Sequence, residues 1–169
     1  MFKENDMVVY GIQGVCRVQG LVDRRVGENM ISYYALTPVG APTSTIYVPE
    51  ENARLTGRIK PVLSREEVME LIQSMPELPD MWISDENRRK ECYKNILLEG
   101  DQRALSAMIR TLYLHRQNQK AKGKKLHLSD ERYLKDAERM LYSEFAVILN
   151  MNSEDMPAYI ERQLKEAET

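Results

Sequence analysis

The chain reads as α+β, a small N-terminal β-barrel followed by a C-terminal all-α helical bundle. Three observations predict this. The first sixty or so residues break into short runs of Val, Ile and Tyr punctuated by Gly and Pro. The remainder carries helical hydrophobic spacing between capping residues. Lys and Arg crowd into one stretch of that second part. Residues 7–10 make the first strand, stopped by Gly11 and Gly14, and 15–22 resume with rough alternation. Residues 25–29 form a turn, 31–36 a third strand, and 45–48 a fourth ended by Pro49. A last short strand falls near 54–56 or 58–59. Four or five strands in so little chain predict a small, strongly curved barrel of the SH3 or Tudor kind, a shape that binds partners.

Helices follow. Ser64 with Glu67 three residues on is a capping box, and Val68, Leu71, Ile72 and Met75 share one face of the helix it opens. Pro76 and Pro79 end that helix. The organisation is therefore a barrel over 1–62, a connecting helix and linker over 63–79 and a helical domain over 80–169. Ser84 caps the next helix, which runs to Leu98 and stops at Gly100. Asp101 caps a helix with the stripe Leu105, Met108, Ile109, Leu112 and Tyr113. Residues 120–125 with Gly123 are a loop, and Ser129 opens a helix with Leu134, Ala137, Leu141 and Ile148 inward. Ser153 caps a final helix carrying Met156, Ile160 and Leu164.

Composition narrows the function. At 169 residues, 43% hydrophobic and 30% charged, the chain suits one ordinary domain or two small ones. No apolar run approaches the roughly 18 residues that span a bilayer, and residues 1–6 hold no signal-peptide core. A cytoplasmic protein without membrane contact is expected. Cys16 and Cys92 are too few for a disulfide framework or a zinc site, so both are expected reduced. The net charge of −2 conceals a segregation: between Arg88 and Lys125 eleven Lys and Arg face three Asp and Glu, while acids gather afterwards. A local patch of that kind attracts nucleic acid over a Debye length of roughly 8–10 Å, whatever the total charge. Just ahead of Arg88, Arg89, Lys90 and Lys94 stands the single tryptophan, Trp82. It is either a wedge for a base step beside groups that grip phosphate, or a core residue between two domains.

Catalytic signals are missing. There is no phosphate-binding glycine loop, no H-E-x-x-H, no C-x-x-C and no G-x-S-x-G. His115 and His127 read as surface or packing residues, and no carboxylates are locally paired for acid–base work. An enzyme is not expected, and no catalytic residue, metal or cofactor is assigned.

Residues 1–15, together with Ile46-Tyr47-Val48-Pro49-Glu50-Glu51-Asn52-Ala53, resemble the RNA polymerase interaction domain of the bacterial CarD/CdnL family. Arg88-Arg89, Leu97 with Gly100-Asp101, Ile109-Arg110-Thr111-Leu112-Tyr113, and Leu134, Ala137, Leu141 and Glu144 resemble the same family's helical domain. The match runs over nearly the whole chain in the right order. It implies a monomeric transcription regulator whose barrel pairs an edge strand with the RNA polymerase β subunit. Its helical domain would meet promoter DNA at the upstream edge of the opening bubble, where a tryptophan in the minor groove keeps the duplex from closing and stabilises the open complex. Phosphate contacts hold register without reading sequence, so little sequence specificity is expected.

Residue by residue, the resemblance places Arg24, Arg25, Ile46, Tyr47, Val48 and Pro49 at the polymerase contact. It places Trp82, Arg88, Arg89 and Lys90 at DNA. Lys94 extends that basic set, as do Lys124, Lys125 and Arg132, which flank a helix start where phosphate is favoured. Two departures stand out. Tyr47 occupies a position where some relatives carry Arg, and residues 83–87 separate Trp82 from the paired arginines by about one extra helical turn, roughly 5.4 Å. Two rivals remain: a fragment of the transcription–repair coupling translocase, against which the lack of any helicase motif argues, and a polymerase-binding adaptor without direct DNA binding.

Overall fold

The computed structural model describes the backbone of residues 1–168 and the side chains through Gln163. Among these residues are one five-stranded antiparallel sheet and six α-helices, an α+β chain in two compact units, 1–62 and 63–169.

The first unit holds β1 (Met7–Tyr10), β2 (Val15–Val26), β3 (Asn29–Pro38), β4 (Ile46–Pro49), α1 (Ala53–Thr56) and β5 (Ile59–Pro61). The strand order is β4-β3-β2-β1-β5, so the expected barrel does not close: β4 and β5 are the two edges of an open sheet. β2 and β3 stay paired out to Val26 and Asn29 around Gly27, whose φ of 67° suits a tight turn, while the edge strands β4 and β5 are short and pair with β3 and β1 but not with each other among the described residues. A register shift between Val18 and Gly20 marks a bulge, and beyond it residues 21–30 are exposed on a two-stranded ribbon. Arg24 and Arg25 thus lie inside β2, opposite Ile31 and Met30, and not in a turn. Residues 54–56 are not a strand either. They are α1, capped by Asn52, whose Oδ1 accepts the Leu55 N–H at 3.1 Å. The core of this unit is Val8, Cys16, Val18, Tyr34, Leu36, Val48 and Ile59. Burial there pushes the free Cys16 thiol up to about 11.

The second unit holds α2 (Arg65–Ser74), α3 (Glu86–Glu99), α4 (Gln102–Ala121), α5 (Leu128–Leu149) and α6 (Met156–Glu168). Residues 63–79 are no connector. Val68, Leu71, Ile72, Met75 and Leu78 share one core with Leu112, Leu141, Phe145 and Met156. Pro76 does end α2, but a 3₁₀ turn, Met75–Glu77, carries the chain on without leaving that core, and Arg110 Nη2 donates to the Pro76 carbonyl at 2.6 Å. The Ser64–Glu67 capping box forms in both directions, Gly100 ends α3 in the left-handed region and Asp101 caps α4. Three caps differ from expectation. Asp85, not Ser84, caps α3; α5 begins at Leu128 with no side-chain cap; and Ser153 opens a 3₁₀ turn ahead of α6. Tyr113 is exposed, because it falls off the buried stripe of α4. Leu164, expected inward on the last helix, has a side chain outside those described.

Glu144 is a polar joint inside this core. It is 1% exposed; Oε2 accepts the Leu63 N–H at 3.1 Å, and both oxygens accept from Gln102 Nε2 at 3.2 and 3.1 Å. Burial holds its carboxyl above the ordinary 4.5, against the opposing pull of those hydrogen bonds. A carboxyl raised in the folded state keeps an extra proton there, so its linkage favours folding as pH falls from the raised value toward 4.5. Glu144→Ala is expected to destabilise the unit by about 1–3 kcal/mol for each donor left without a partner, measured by urea titration.

Candidate polymerase and nucleic-acid surfaces

Each unit carries one candidate surface. In the first, β4 is a free edge of the sheet. The Glu50 N–H donates to the Ser32 carbonyl at 2.9 Å, one step beyond the Tyr33↔Pro49 pairing. Antiparallel ladders alternate, so Tyr34↔Val48 and Leu36↔Ile46 are the hydrogen-bonded pairs, and the N–H and C=O of Tyr47 point off the edge. The Tyr47 side chain is 37% exposed, and its hydroxyl accepts from Arg24 Nη2 at 2.7 Å. The Arg24 guanidinium carbon also stands 4.1 Å from the ring centroid, with Tyr33 edge-on at 6.2 Å. The structure brings Arg24 and Tyr47 together. Strand alternation sends Arg25 to the other face, where it is exposed. Ile46 and Pro49 are half-buried, whereas the Val48 side chain is 0% exposed and belongs to the core rather than to a contact surface.

In the second unit, Trp82 lies on the irregular segment between the 3₁₀ turn and α3. Of the residues separating it from Arg88, 83–85 continue that segment and only Glu86 and Asn87 are helical. The segment is held along its length. The Met81 N–H donates to Thr111 Oγ1 and the Trp82 N–H to Asp80 Oδ1, both at 3.0 Å. Arg89 Nη1 donates to the carbonyls of Ile83 and Ser84 at 3.0 and 3.4 Å. The indole is half-buried. It stacks on the His115 imidazole with centroids 3.5 Å apart and planes 16° from parallel, and the Arg89 guanidinium carbon lies 4.3 Å from the ring centroid.

Arg89 requires a correction. It is 2% exposed and makes a two-pronged salt bridge to Asp130 at the start of α5, with Nε–Oδ1 and Nη2–Oδ2 both 3.0 Å. A guanidinium so enclosed and so paired does not reach phosphate. Lys90 is held by Glu86 at 3.1 Å in an exposed pair of the kind that contributes little. Arg88, Lys94, Lys124, Lys125 and Arg132 are exposed, and none joins an ion pair among the described residues. The Arg89–Asp130 bridge sets the first turn of α5, which Lys124 and Lys125 precede and Arg132 follows, beside the first turn of α3, which carries Arg88.

Two family models match the chain: the CarD-like/TRCF RID domain over residues 2–63, and the CarD C-terminal domain over 67–161. The chain belongs to the CarD/CdnL family. Comparison with curated proteins returns no match. Membership makes this CarD-family chain a transcription-associated, RNA polymerase-interacting protein from a family of non-enzymatic transcription factors. None of its helices is long and apolar enough to cross a membrane among the described residues. Sequence reasoning missed Asp80, Thr111 and Asp130 around Trp82, and it read His115 as a surface or packing residue without finding the ring it packs on. Asp130 carried a faint signal as an acid in the first turn of a helix, but nothing local pairs it with Arg89, 41 positions away.

Proposed function

We propose that this CarD-family chain binds the RNA polymerase β subunit along β4 and promoter DNA at the Trp82 end of the helical unit, and so stabilises the open complex. In this reading the sheet unit works as a Tudor-like module and the protein acts as a monomer in the bacterial cytoplasm. Main-chain pairing at Tyr47 supplies affinity for an added strand, and Arg24, Arg25, Ile46 and Pro49 flank it. Trp82 meets the minor groove by its edge. Full insertion between two bases would need His115 to leave the indole face. Arg88, Lys90, Lys94, Lys124, Lys125 and Arg132 grip phosphate without reading sequence.

One observation carries this reading: a half-buried indole, clamped in place, at the same end of the unit as exposed cations of which Arg88, Lys124, Lys125 and Arg132 join no ion pair among the described residues. Each phosphate contact contributes about one unit to the log–log salt dependence of binding, so Arg88→Ala with Lys125→Ala should lower that slope by roughly two, equally on unrelated duplexes. Titrating the full chain with duplex at several salt concentrations measures it. The burial of Arg89 favours a second reading, a polymerase adaptor that makes no DNA contact, because it removes one of the paired arginines from the basic surface. That reading predicts no duplex affinity at any salt.

A further inference from the structure

The contacts of Trp82 are of an unusual kind for a core residue. A core aromatic is packed by aliphatic groups on all sides and is closed to solvent. Trp82 is half-exposed; one part of it packs against the core of the unit, and its ring is met by an imidazole and a guanidinium. Backbone hydrogen bonds to Thr111, Asp80 and Arg89 hold the segment on which it sits, but they do not set the indole's own rotation. Of the groups that touch the ring, His115 alone lies flat against its face, with centroids 3.5 Å apart. The imidazole projects from α4, a 20-residue helix whose Leu112 and Thr111 are buried beside it, so it is a rigid platform under a ring that stands on irregular chain.

We propose that His115 is the positioning residue of Trp82: stacked flat beneath the indole, it holds the ring in the orientation in which its exposed edge meets DNA. This rests on the reading of Trp82 as a DNA contact. Holding the ring in advance removes the need to order it on binding, which is how a partly exposed group gains affinity without new contacts. The charged groups facing His115 from the packed elements are Arg89 of α3, Asp130 of α5, Asp80 of the segment before Trp82 and Lys122 at the end of α4. Burial holds the imidazole below its ordinary 6.5, with the carboxylates opposing and Arg89 and Lys122 assisting. The ring is therefore neutral at neutral pH and stacks without setting a second positive charge beside Arg89. A base depressed in the folded state favours folding above its ordinary value and loses that contribution as pH falls through 6.5 toward the lowered one.

The experiment uses the full chain and five variants: His115→Ala, His115→Leu, His115→Phe, Trp82→Ala and the double variant Trp82→Ala with His115→Leu. Trp82 is the only tryptophan, so acrylamide quenching of intrinsic fluorescence reads this ring alone. Ala and Leu should raise the quenching constant at least twofold, and Phe, which keeps a stacking face, should leave it near wild type. Competitor-challenged decay of polymerase open complexes is the second readout. His115→Ala and His115→Leu should shorten the lifetime to that of Trp82→Ala, His115→Phe should restore it, and His115→Leu added to Trp82→Ala should shorten it no further. Leu keeps side-chain volume, so the Leu–Phe comparison stands even if the Ala variant melts early. A freed ring with an unchanged lifetime, while Trp82→Ala shortens it, overturns the role of His115 alone. A wild-type lifetime in Trp82→Ala overturns the DNA reading of Trp82 and this assignment with it, and unchanged quenching in both Ala and Leu variants shows that His115 does not hold the ring.

Discussion

Asp130→Ala is expected to destabilise the helical unit by about 3–5 kcal/mol, because it leaves the Arg89 guanidinium charged and buried with no counter-ion. Arg89 is 2% exposed and Asp130 0%, so water cannot replace the lost carboxylate without opening the junction of α3 and α5. The damage should spread locally. Arg89 also holds the carbonyls of Ile83 and Ser84 and stands over Trp82, so a displaced guanidinium releases the segment that carries the indole. Urea unfolding followed by tryptophan fluorescence reads this unit alone, since Trp82 is the single tryptophan. Replacing both partners, Arg89→Met with Asp130→Leu, should recover much of the loss, because desolvating a buried pair offsets much of its attraction. Recovery should stop short of wild type, since the two carbonyls stay without their donor. Asp130→Ala with unchanged stability would mean that Arg89 finds solvent and that the junction is looser than its geometry.

Tyr47→Pro is expected to weaken capture of a polymerase β-subunit fragment at least tenfold, about 1.4 kcal/mol or more, while the sheet unit stays folded. The two halves of that expectation share one cause. The Tyr47 N–H points off the edge of the sheet, so proline removes a donor that β4 does not use to pair with β3. Proline is tolerated in edge strands where the lost N–H faces outward. A strand added to β4 would need that donor, and would lose its pairing there. Tyr47→Val separates main chain from side chain, since it keeps the N–H and removes the phenol that accepts from Arg24. Capture should fall more in Pro than in Val. Equal losses in both would place the contact in the phenol–guanidinium pair, and full capture by Tyr47→Pro would place the edge elsewhere.

Local chemistry was legible from the chain at several helix ends whose cause lay within a few residues. The Ser64–Glu67 box, the Asp101 cap and the stop at Gly100 each depend on side chains or φ values within one turn of the helix end, so residue type at a short spacing suffices to read them. The α2 stripe of Val68, Leu71 and Ile72 is buried for the same kind of reason, a period of 3.6. Errors arose where a local cue had two meanings. Pro76 and Pro79 ended α2, as prolines do, yet ending a helix is not leaving a domain, and Met75 and Leu78 on either side of Pro76 stay in the core. Residues 25–29 read as a turn around Gly27, yet Arg25 and Val26 proved to end a strand and Asn29 to begin the next on an exposed ribbon, so only Gly27 and Glu28 turn.

By itself, then, the sequence determined the α+β class, the helix ends at Ser64, Gly100 and Asp101, the segregation of basic charge and the resemblance that family matching bears out. Tertiary structure alone decided that the sheet stays open, that Val48 faces inward while the Tyr47 backbone faces out, and that one of two adjacent arginines is a buried strut and the other a free surface cation. The physical reason is the range of the interactions. Capping and periodicity act over three or four residues, but the fate of Arg89 depends on Asp130, and that of Trp82 on His115, partners 41 and 33 positions away that only packing brings within reach.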